Sequence, residues 1–157
     1  MGTTVANAPD WTNPQAGLYA VASAVCNAYG DEGRQVVEQA LYTLGLRSGQ
    51  FLMDHGVIAA GCTPAEWGRV AADLADLAGF YDHESVAVSD RCFELHLTQY
   101  PYVEPFTVFG APADIVEIGA AWDRGCLRAI NPRLRLTVPS CLWRGDAVGI
   151  FRVEQMS

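Results

Sequence analysis

The chain has 157 residues, half of them hydrophobic, and 18 acidic against ten basic side chains give it a formal net charge of −8. All ten basic side chains are arginines, which excludes chemistry that needs a lysine, such as a Schiff base or a Walker-type phosphate loop. Because the arginines are scattered and outnumbered, no nucleic-acid partner is expected.

Helical patterns dominate the first part of the chain, after an irregular arm predicted over residues 1–14. Apolar residues at helical spacing predict a first helix that Gly30 ends and a second that continues from Asp31. The second helix contains Gly45 and Gly49. A glycine pair inside a helix indicates a close backbone crossing, a kink or a wall against a ligand, and the crossing is the preferred interpretation.

A second type of pattern begins after the next helix. The segment Thr63-Pro64-Ala65-Glu66 predicts a helix start, because Thr can cap, Pro fits the first turn and Glu completes a capping box. Beyond Gly79 the hydrophobic period changes from 3.6 to 2, and residues 86–97 predict a β-hairpin that turns at Ser89-Asp90-Arg91.

The last third of the chain predicts a helix and a second hairpin. The proline-rich stretch 99–112 is expected to be a loop with at most one short turn. Residues 114–130 predict one central helix. Its buried stripe comprises Ile115, Ile118, Trp122, Cys126 and Ala129. After Asn131-Pro132, two period-2 segments joined by Arg144-Gly145-Asp146 predict the hairpin.

Together these elements predict an α+β fold, with a four-stranded antiparallel sheet of two hairpins packed against about four helices, in a single domain over residues 15–157. No signal pattern begins the chain and no apolar run approaches the roughly 20 residues that cross a bilayer, so we expect a cytoplasmic protein without a membrane partner. The five cysteines, odd in number and irregularly spaced, are expected to be reduced thiols in the core.

Local metal-ligand pairs such as Cys-x-x-Cys are absent from the sequence, so neither a metal nor another cofactor is expected. A non-local metal site formed by Cys126, Cys141 and His96 remains as an alternative.

Asp123 is the leading candidate for a functional residue. It lies beside the apolar stripe, between Trp122 and the gap at Gly119, where burial would raise its pKa and let it act as a general base on water. The alternative is an exposed carboxylate paired with Arg124 or Arg128.

Further candidates complete the predicted site. The catalytic set adds Tyr100 and His96, as hydrogen-bonding or acid partners, and Cys126. For Cys126 a buried, unreactive thiol is the simpler interpretation, because the C-terminal half of a helix disfavours a thiolate, and for His96 the alternative is a surface histidine. Substrate contacts are expected from Trp122, Glu104, Gly119 and Tyr102. For Glu104 a solvated charge is the simpler interpretation.

Four short motifs carry a resemblance to a known family: Tyr100-Pro101, Gly119-x-x-x-Asp123, Asn131-Pro132 and Arg144-Gly145-Asp146-x-x-Gly149-x-Phe151. Over about residues 29–153 the chain resembles the L-2-amino-thiazoline-4-carboxylic acid hydrolase family, whose relatives include 4-vinyl reductase-type small-molecule-binding domains. The resemblance implies an internal pocket and hydrolysis of a C–N bond in a small heterocycle. The family pattern has cysteines where this chain has Tyr100, Gly119 and Gly149, whereas Asp123 is retained.

Three functions follow as alternatives. The first is a small-molecule hydrolase acting on a cyclic amidine or amide C–N bond in the biosynthesis of a specialised metabolite, with Asp123 as the base. The second is a small-molecule-binding or sensory domain without catalysis. The third is an oligomer-forming protein that buries its helix faces against a second copy, as a homodimer.

Overall fold

A long helix, α1 (Pro14–Asp54), begins the part of the chain that this computed structural model describes, residues 14–79 and 82–157. Gly30 interrupts α1 with φ 58° and ψ −132°, a backbone conformation that side-chain-bearing residues rarely adopt. The interruption lies where the sequence predicts the end of the first helix, so the prediction of two helical segments is confirmed. The predicted arm over residues 1–14 lies outside the described residues except for Pro14.

Shorter helices and four strands follow α1 in the described chain. The helices are α2 (Pro64–Leu77), α3 (Val103–Phe109), α4 (Ile115–Gly119) and α5 (Ala121–Ile130). The strands are β1 (His83–Ser89), β2 (Cys92–Leu97), β3 (Leu134–Ser140) and β4 (Gly149–Gln155), with a 3-10 turn at Leu142–Arg144 between the last two. The predicted α+β fold, with two hairpins in one sheet, is therefore confirmed.

The sheet has the order β1-β2-β4-β3, and every neighbouring pair is antiparallel. The two hairpins join through β2 and β4, where Leu95 lies opposite Phe151. The pairing of each outer strand is irregular: the register shifts between Ala87 and Ser89 in β1 and between Thr137 and Ser140 in β3. Because side chains alternate along a strand, one face of the sheet packs against the helices and the other face lies outside.

Two predictions about the middle of the chain are wrong. The stretch 99–112 is not merely a loop, since it contains α3. Its proline at position 105 lies in the first turn, where a missing backbone N–H breaks no hydrogen bond. The helix predicted over residues 114–130 is two helices, α4 and α5, which meet at Ala120 next to Gly119. Glycine is a poor helix former, which is consistent with the interruption at this point.

The glycine pair of α1 lies where α1 crosses α5. A Cβ atom at Gly45 would lie 2.0 Å from the carbonyl oxygen of Trp122, and one at Gly49 would lie 2.5 Å from that of Cys126. From the other side, a Cβ at Gly125 would lie 2.1 Å from the carbonyl oxygen of Tyr42. The predicted close crossing is confirmed, and it holds the backbone of α5 directly against α1.

All five cysteines are free, and four of them are buried, in agreement with the prediction of core thiols. Over the ranges 14–79 and 82–157, none of the helices combines the length and the apolar character that crossing a bilayer requires.

Candidate functional site

A cavity of about 320 Å³ lies among α1, α2, the α4–α5 pair and the inner face of the sheet. Most of the side chains that line it are aliphatic: Leu18, Ala22, Leu41, Leu44, Ala71, Leu74, Ala75, Leu77, Ala78, Leu97, Ile115, Val116, Ile118 and Ala120. Three of these are partly open to solvent, since Leu18, Leu44 and Leu77 are 42%, 52% and 82% exposed. The cavity therefore extends from the core to the protein surface.

Asp123, in the first turn of α5, lines this cavity. Burial raises the pKa of its carboxyl group from 3.8 to about 7, against the opposing effect of the Arg124 charge. No salt bridge to Asp123 forms within the described residues, because the Arg124 guanidinium binds the carboxylate and the carbonyl oxygen of Glu117 instead. The carboxylate thus faces the cavity, as the first interpretation of the sequence requires, and the pairing with Arg124 that was its alternative is wrong.

Two tyrosines lie on the same wall. The hydroxyl groups of Tyr19 on α1 and Tyr100 in the loop after β2 are hydrogen bonded to each other, and both residues line the cavity. Burial raises the pKa of Tyr19 to about 12 and that of Tyr100 well above its ordinary value. Both hydroxyls therefore stay protonated and remain hydrogen-bond donors at neutral pH.

Tyr19 is a residue of the site that the sequence reasoning did not propose. The available signal was the hydroxyl itself, because a buried tyrosine usually has a hydrogen-bond partner at its polar end. The partner could not be identified from helical spacing, since Tyr100 is 81 positions further along the chain.

Gly119 and Trp122 complete the predicted residues that reach the cavity. A Cβ atom at Gly119 would lie 2.7 Å from the Tyr19 hydroxyl oxygen, so the missing side chain makes room for that tyrosine. The Trp122 indole Nε1 donates a hydrogen bond of 3.1 Å to Ser48 Oγ on α1, which orients the ring. Eight site residues were predicted from the sequence, and the structure brings four of them together in the cavity lining: Gly119, Trp122, Asp123 and Tyr100.

His96 is separated from that group by the sheet. Its neighbours Leu95 and Leu97 are buried on the helix-facing side, so His96 projects from the opposite face. There its Nε2 atom lies 2.6 Å from Glu94 Oε2, while Arg152 Nε donates to Glu94 Oε1 over 2.7 Å. The structure therefore does not place His96 beside Asp123, and the polar cluster that contains it is a feature of the outer sheet face.

The other three predicted residues also lie away from the cavity lining. Cys126 is 0% exposed, and burial raises the pKa of its thiol to about 12, as the simpler interpretation of the sequence expects. Tyr102 is 1% exposed and its hydroxyl donates a 2.6 Å hydrogen bond to the carbonyl oxygen of Ala78. Glu104 is exposed on α3. Sequence proximity to Tyr100 and Asp123 was therefore not sufficient to place these three side chains in the cavity lining.

The non-local metal site is not formed. Within the described ranges, no group of three or more histidine, cysteine, aspartate or glutamate side chains is arranged to hold a metal ion. Cys126 and Cys141 are core residues, whereas His96 lies on the outer sheet face.

The cavity combines a wide apolar wall with a few polar groups, which are Asp123, Tyr19, Tyr100 and the amide side chain of Gln15. A carboxyl group that titrates near neutral pH can accept a proton from a bound molecule or from water, and its ionised form can bind a cation. Because one of the two hydroxyls donates its hydrogen to the other, one hydroxyl hydrogen of the pair remains for a polar group of a ligand. This arrangement allows binding of an apolar molecule with one polar end, and it also allows general-base chemistry.

No protein-family model matches the sequence, and comparison with curated proteins gives no match either. Solved structures do share the fold. Subunit 3 of the trafficking protein particle complex from Naegleria fowleri, covalently bound to palmitic acid, superposes with a TM-score of 0.65 at 16% identity, covering 93% of this chain and 95% of that one. The phenol-responsive sensory domain of the transcription activator PoxR, with phenol, superposes with a TM-score of 0.65 at 12% identity. The match covers 89% of this chain and 73% of that one.

Proposed function

We propose that this chain is a small-molecule-binding domain whose ligand occupies the cavity among α1, α2, α4, α5 and the sheet. The observation that carries the proposal is an apolar cavity of about 320 Å³, open at its rim, with a carboxylate directed into it. Ligand pockets typically measure roughly 300–1,000 Å³ and combine apolar walls with a few polar groups. The two structural neighbours support the proposal, since their structures contain palmitic acid and phenol.

Thermal unfolding in the presence of small aromatic and aliphatic molecules tests this function. A ligand that binds the native state raises the unfolding temperature by mass action, and extraction after incubation should return it unaltered. A molecule that stabilises the protein but is recovered as a different compound would contradict a purely binding role.

Replacing Gly119 by alanine tests whether the ligand occupies this cavity. The added methyl group would displace the Tyr19 hydroxyl and narrow the cavity, so we expect ligand affinity to fall several-fold in calorimetric titration. Stability should change by less than about 1 kcal/mol, because alanine is the better helix former. Gly17→Ala is the matched control, since no atom of residues 14–79 or 82–157 lies within 4 Å of a Cβ at that position. Equal affinity in the two variants would place the ligand elsewhere.

A second candidate function is catalysis, and the pKa of Asp123 favours it. A carboxylate that titrates at about 7 is well matched to a general base at neutral pH. In this proposal Asp123 removes a proton from a water molecule whose oxygen attacks the carbon of the C–N bond. The C–N bond then breaks as the protonated carboxyl group gives that proton to the departing nitrogen, while the hydroxyl of Tyr100 or Tyr19 donates a hydrogen bond to the substrate. The resemblance to the L-2-amino-thiazoline-4-carboxylic acid hydrolase family supports the choice of a cyclic amidine or amide as substrate.

Asp123→Asn separates the two functions. The amide has the shape of the carboxyl group but cannot act as a base, so turnover of a cyclic amidine by the natural protein should disappear in the variant. Turnover that persists in Asp123→Asn would remove Asp123 from the mechanism. Absence of turnover by both proteins, with binding preserved, would favour the binding function.

Three other properties remain proposals that solution measurements can check. We expect the protein in the cytoplasmic fraction, no affinity for nucleic acid in a shift assay, and association with a second copy. Light scattering that gives the mass of one chain would contradict the homodimer.

A further inference from the structure

The polar groups of the cavity do not include a cation. Its lining in the described part of the chain contains no arginine or histidine, and the chain has no lysine. Its ionisable side chains are Asp123, Tyr19 and Tyr100. Any charge that develops on the wall is therefore negative.

The nearest arginine is held elsewhere. Arg124 follows Asp123 on α5, but its guanidinium group donates to the carbonyl oxygen of Glu117 over 3.1 Å and forms a salt bridge with the Glu117 carboxylate. Arg128, one turn further along, lines a separate surface cleft together with Arg124 and Arg135. The positive charges of this region thus lie on the opposite side of α5 from the cavity.

An ionised carboxylate in an apolar cavity is costly unless a cation or hydrogen-bond donors compensate for the lost hydration. Tyr19 and Tyr100 are already hydrogen bonded to each other, and a ligand that brings its own positive charge would supply the compensation. Trp122 and the two tyrosines also present aromatic rings, and such rings attract cations.

We propose that the cavity binds a small aliphatic or aromatic amine, with the ammonium group beside Asp123 and the apolar body against Leu74, Leu97 and Phe151. This inference rests on the proposed binding function and narrows it to one ligand class. An amine differs in chemical class from the molecules in the structures of the two neighbours, which are a fatty acid and phenol.

Three probes of nearly equal shape test the amine: 2-phenylethylamine, 2-phenylethanol and phenylacetate, titrated calorimetrically at pH 8. The amine should bind about tenfold or more tightly than the alcohol, the effect of a charge-assisted hydrogen bond, and the acid should bind weakest. In Asp123→Asn the amine should lose this advantage while the alcohol keeps its affinity. Asp73→Asn, an exposed position on α2, is the matched control and should preserve the advantage.

The pH dependence gives a second measurement on the unaltered protein. The ionisable groups around Asp123 are Tyr19 from α1, Tyr100 from the loop after β2, and its neighbours Arg124 and Cys126 on α5, of which Arg124 is turned toward Glu117. Among the described residues, α2, β2 and β4 contribute apolar side chains to the lining. Burial raises the pKa values of both tyrosines and of Cys126 far above neutral, so Asp123 is the group of the cavity whose charge changes in this pH range. Amine affinity should therefore rise from pH 5.5 to 8 and level off, and alcohol affinity should stay constant.

The outcomes separate this inference from the function on which it rests. Equal binding of the amine and the alcohol, or an amine advantage that survives in Asp123→Asn, overturns the amine inference and leaves the binding domain in place. Binding of none of the three probes at millimolar concentration overturns both, because an open apolar cavity of this size would admit at least the neutral probe.

Discussion

At the scale of single residues, Asp123 should make the stability of the protein depend on pH. Its pKa is 3.8 unperturbed and about 7 in the folded state, so the native protein keeps a proton that the unfolded chain has lost. Asp123 therefore contributes fully to the free energy of unfolding below about pH 4, and this contribution is lost as the pH rises through 7. Because asparagine is neutral throughout, the stability of Asp123→Asn relative to the natural protein should increase by about 2–4 kcal/mol between pH 4 and 8.

Urea unfolding at several pH values measures this difference. Asp73→Asn serves as the control, since it makes the same change of side chain at an exposed position on α2. Parallel stability curves for Asp123→Asn and the natural protein would show that Asp123 is hydrated in the native state.

The sequence was informative for Asp123 but not for its surroundings. The position of Asp123 beside an apolar stripe made an inward carboxylate one of two interpretations, because helical spacing determines which side chains share a face, and the exposed carboxylate was the other. The same reasoning could not find Tyr19, whose partner Tyr100 comes from a distant loop. It also grouped His96 with the site, although strand alternation places His96 on the outer face.

At the scale of secondary-structure elements, the crossing of α1 and α5 should be the position least tolerant of added volume. In Gly45→Ala the new methyl group would lie 2.0 Å from the backbone carbonyl oxygen of Trp122, and a backbone atom cannot move away as a side chain can. We expect a loss of about 3 kcal/mol in the free energy of unfolding, at the upper end of overpacking effects. Chemical denaturation provides the measurement.

Gly17→Ala again provides the control for Gly45→Ala. An alanine there meets no atom of the described part of the chain within 4 Å, so it should leave stability unchanged or raise it by up to about 1 kcal/mol. If both glycine variants have the stability of the natural protein, the helices do not cross as closely as described.

The capping box of α2 leads to a second element-scale prediction. The backbone N–H of Glu66 donates to Thr63 Oγ1 over 3.3 Å, and Glu66 Oε2 accepts from the Thr63 backbone N–H over 2.7 Å. Thr63→Ala removes the cap and should cost about 1 kcal/mol of stability. Thr43→Ala, at an exposed position on α1, is the comparison and should be neutral or slightly stabilising. Equal effects of the two substitutions on stability would exclude loss of the cap as the cause of the effect in Thr63→Ala.

Elements with local signals were predicted, and elements that depend on tertiary contacts were not. The Thr63 cap and the hairpin turn near Asp90 are encoded within a few residues. Helix α3 was missed because the contacts of its buried Phe106 are with Tyr19 and Trp143, which are distant in sequence. Where α4 meets α5, Gly119 lies against Tyr19, which is likewise distant in sequence.

At the scale of the whole molecule, the distribution of the cysteines predicts a labelling pattern. Cys26, Cys62, Cys126 and Cys141 are buried, whereas Cys92 on β2 is partly exposed. Because a thiol must be reached by a reagent before it reacts, a maleimide at pH 8 should label one cysteine in the native protein and five after unfolding. Mass spectrometry counts the adducts.

Cys92→Ser should abolish native labelling and leave four sites in the unfolded chain. Rapid labelling of two or more cysteines in the native protein would mean that the core opens more readily than its burial indicates.

The overall class of the molecule could be predicted from the change of hydrophobic period, but its assembly could not. Helical spacing before Gly79 and alternation after it led to the α+β fold with two hairpins. Nothing in either hairpin indicates that β2 pairs with β4, because that pairing joins residues about 60 positions apart, such as Leu95 and Phe151. The cavity results from the same long-range packing, so its volume and opening had no local signal.

The irregular outer strands have a consequence for the behaviour of the protein at high concentration. A sheet edge with a regular row of unpaired backbone groups is a template for strands of other molecules, and such additions start fibrils. Here β3 contains Pro139, which has no backbone N–H to offer, and β1 shifts register near Ser89. Both edges therefore resist extension by a neighbour, which should keep a chain with this many apolar residues from aggregating through its sheet.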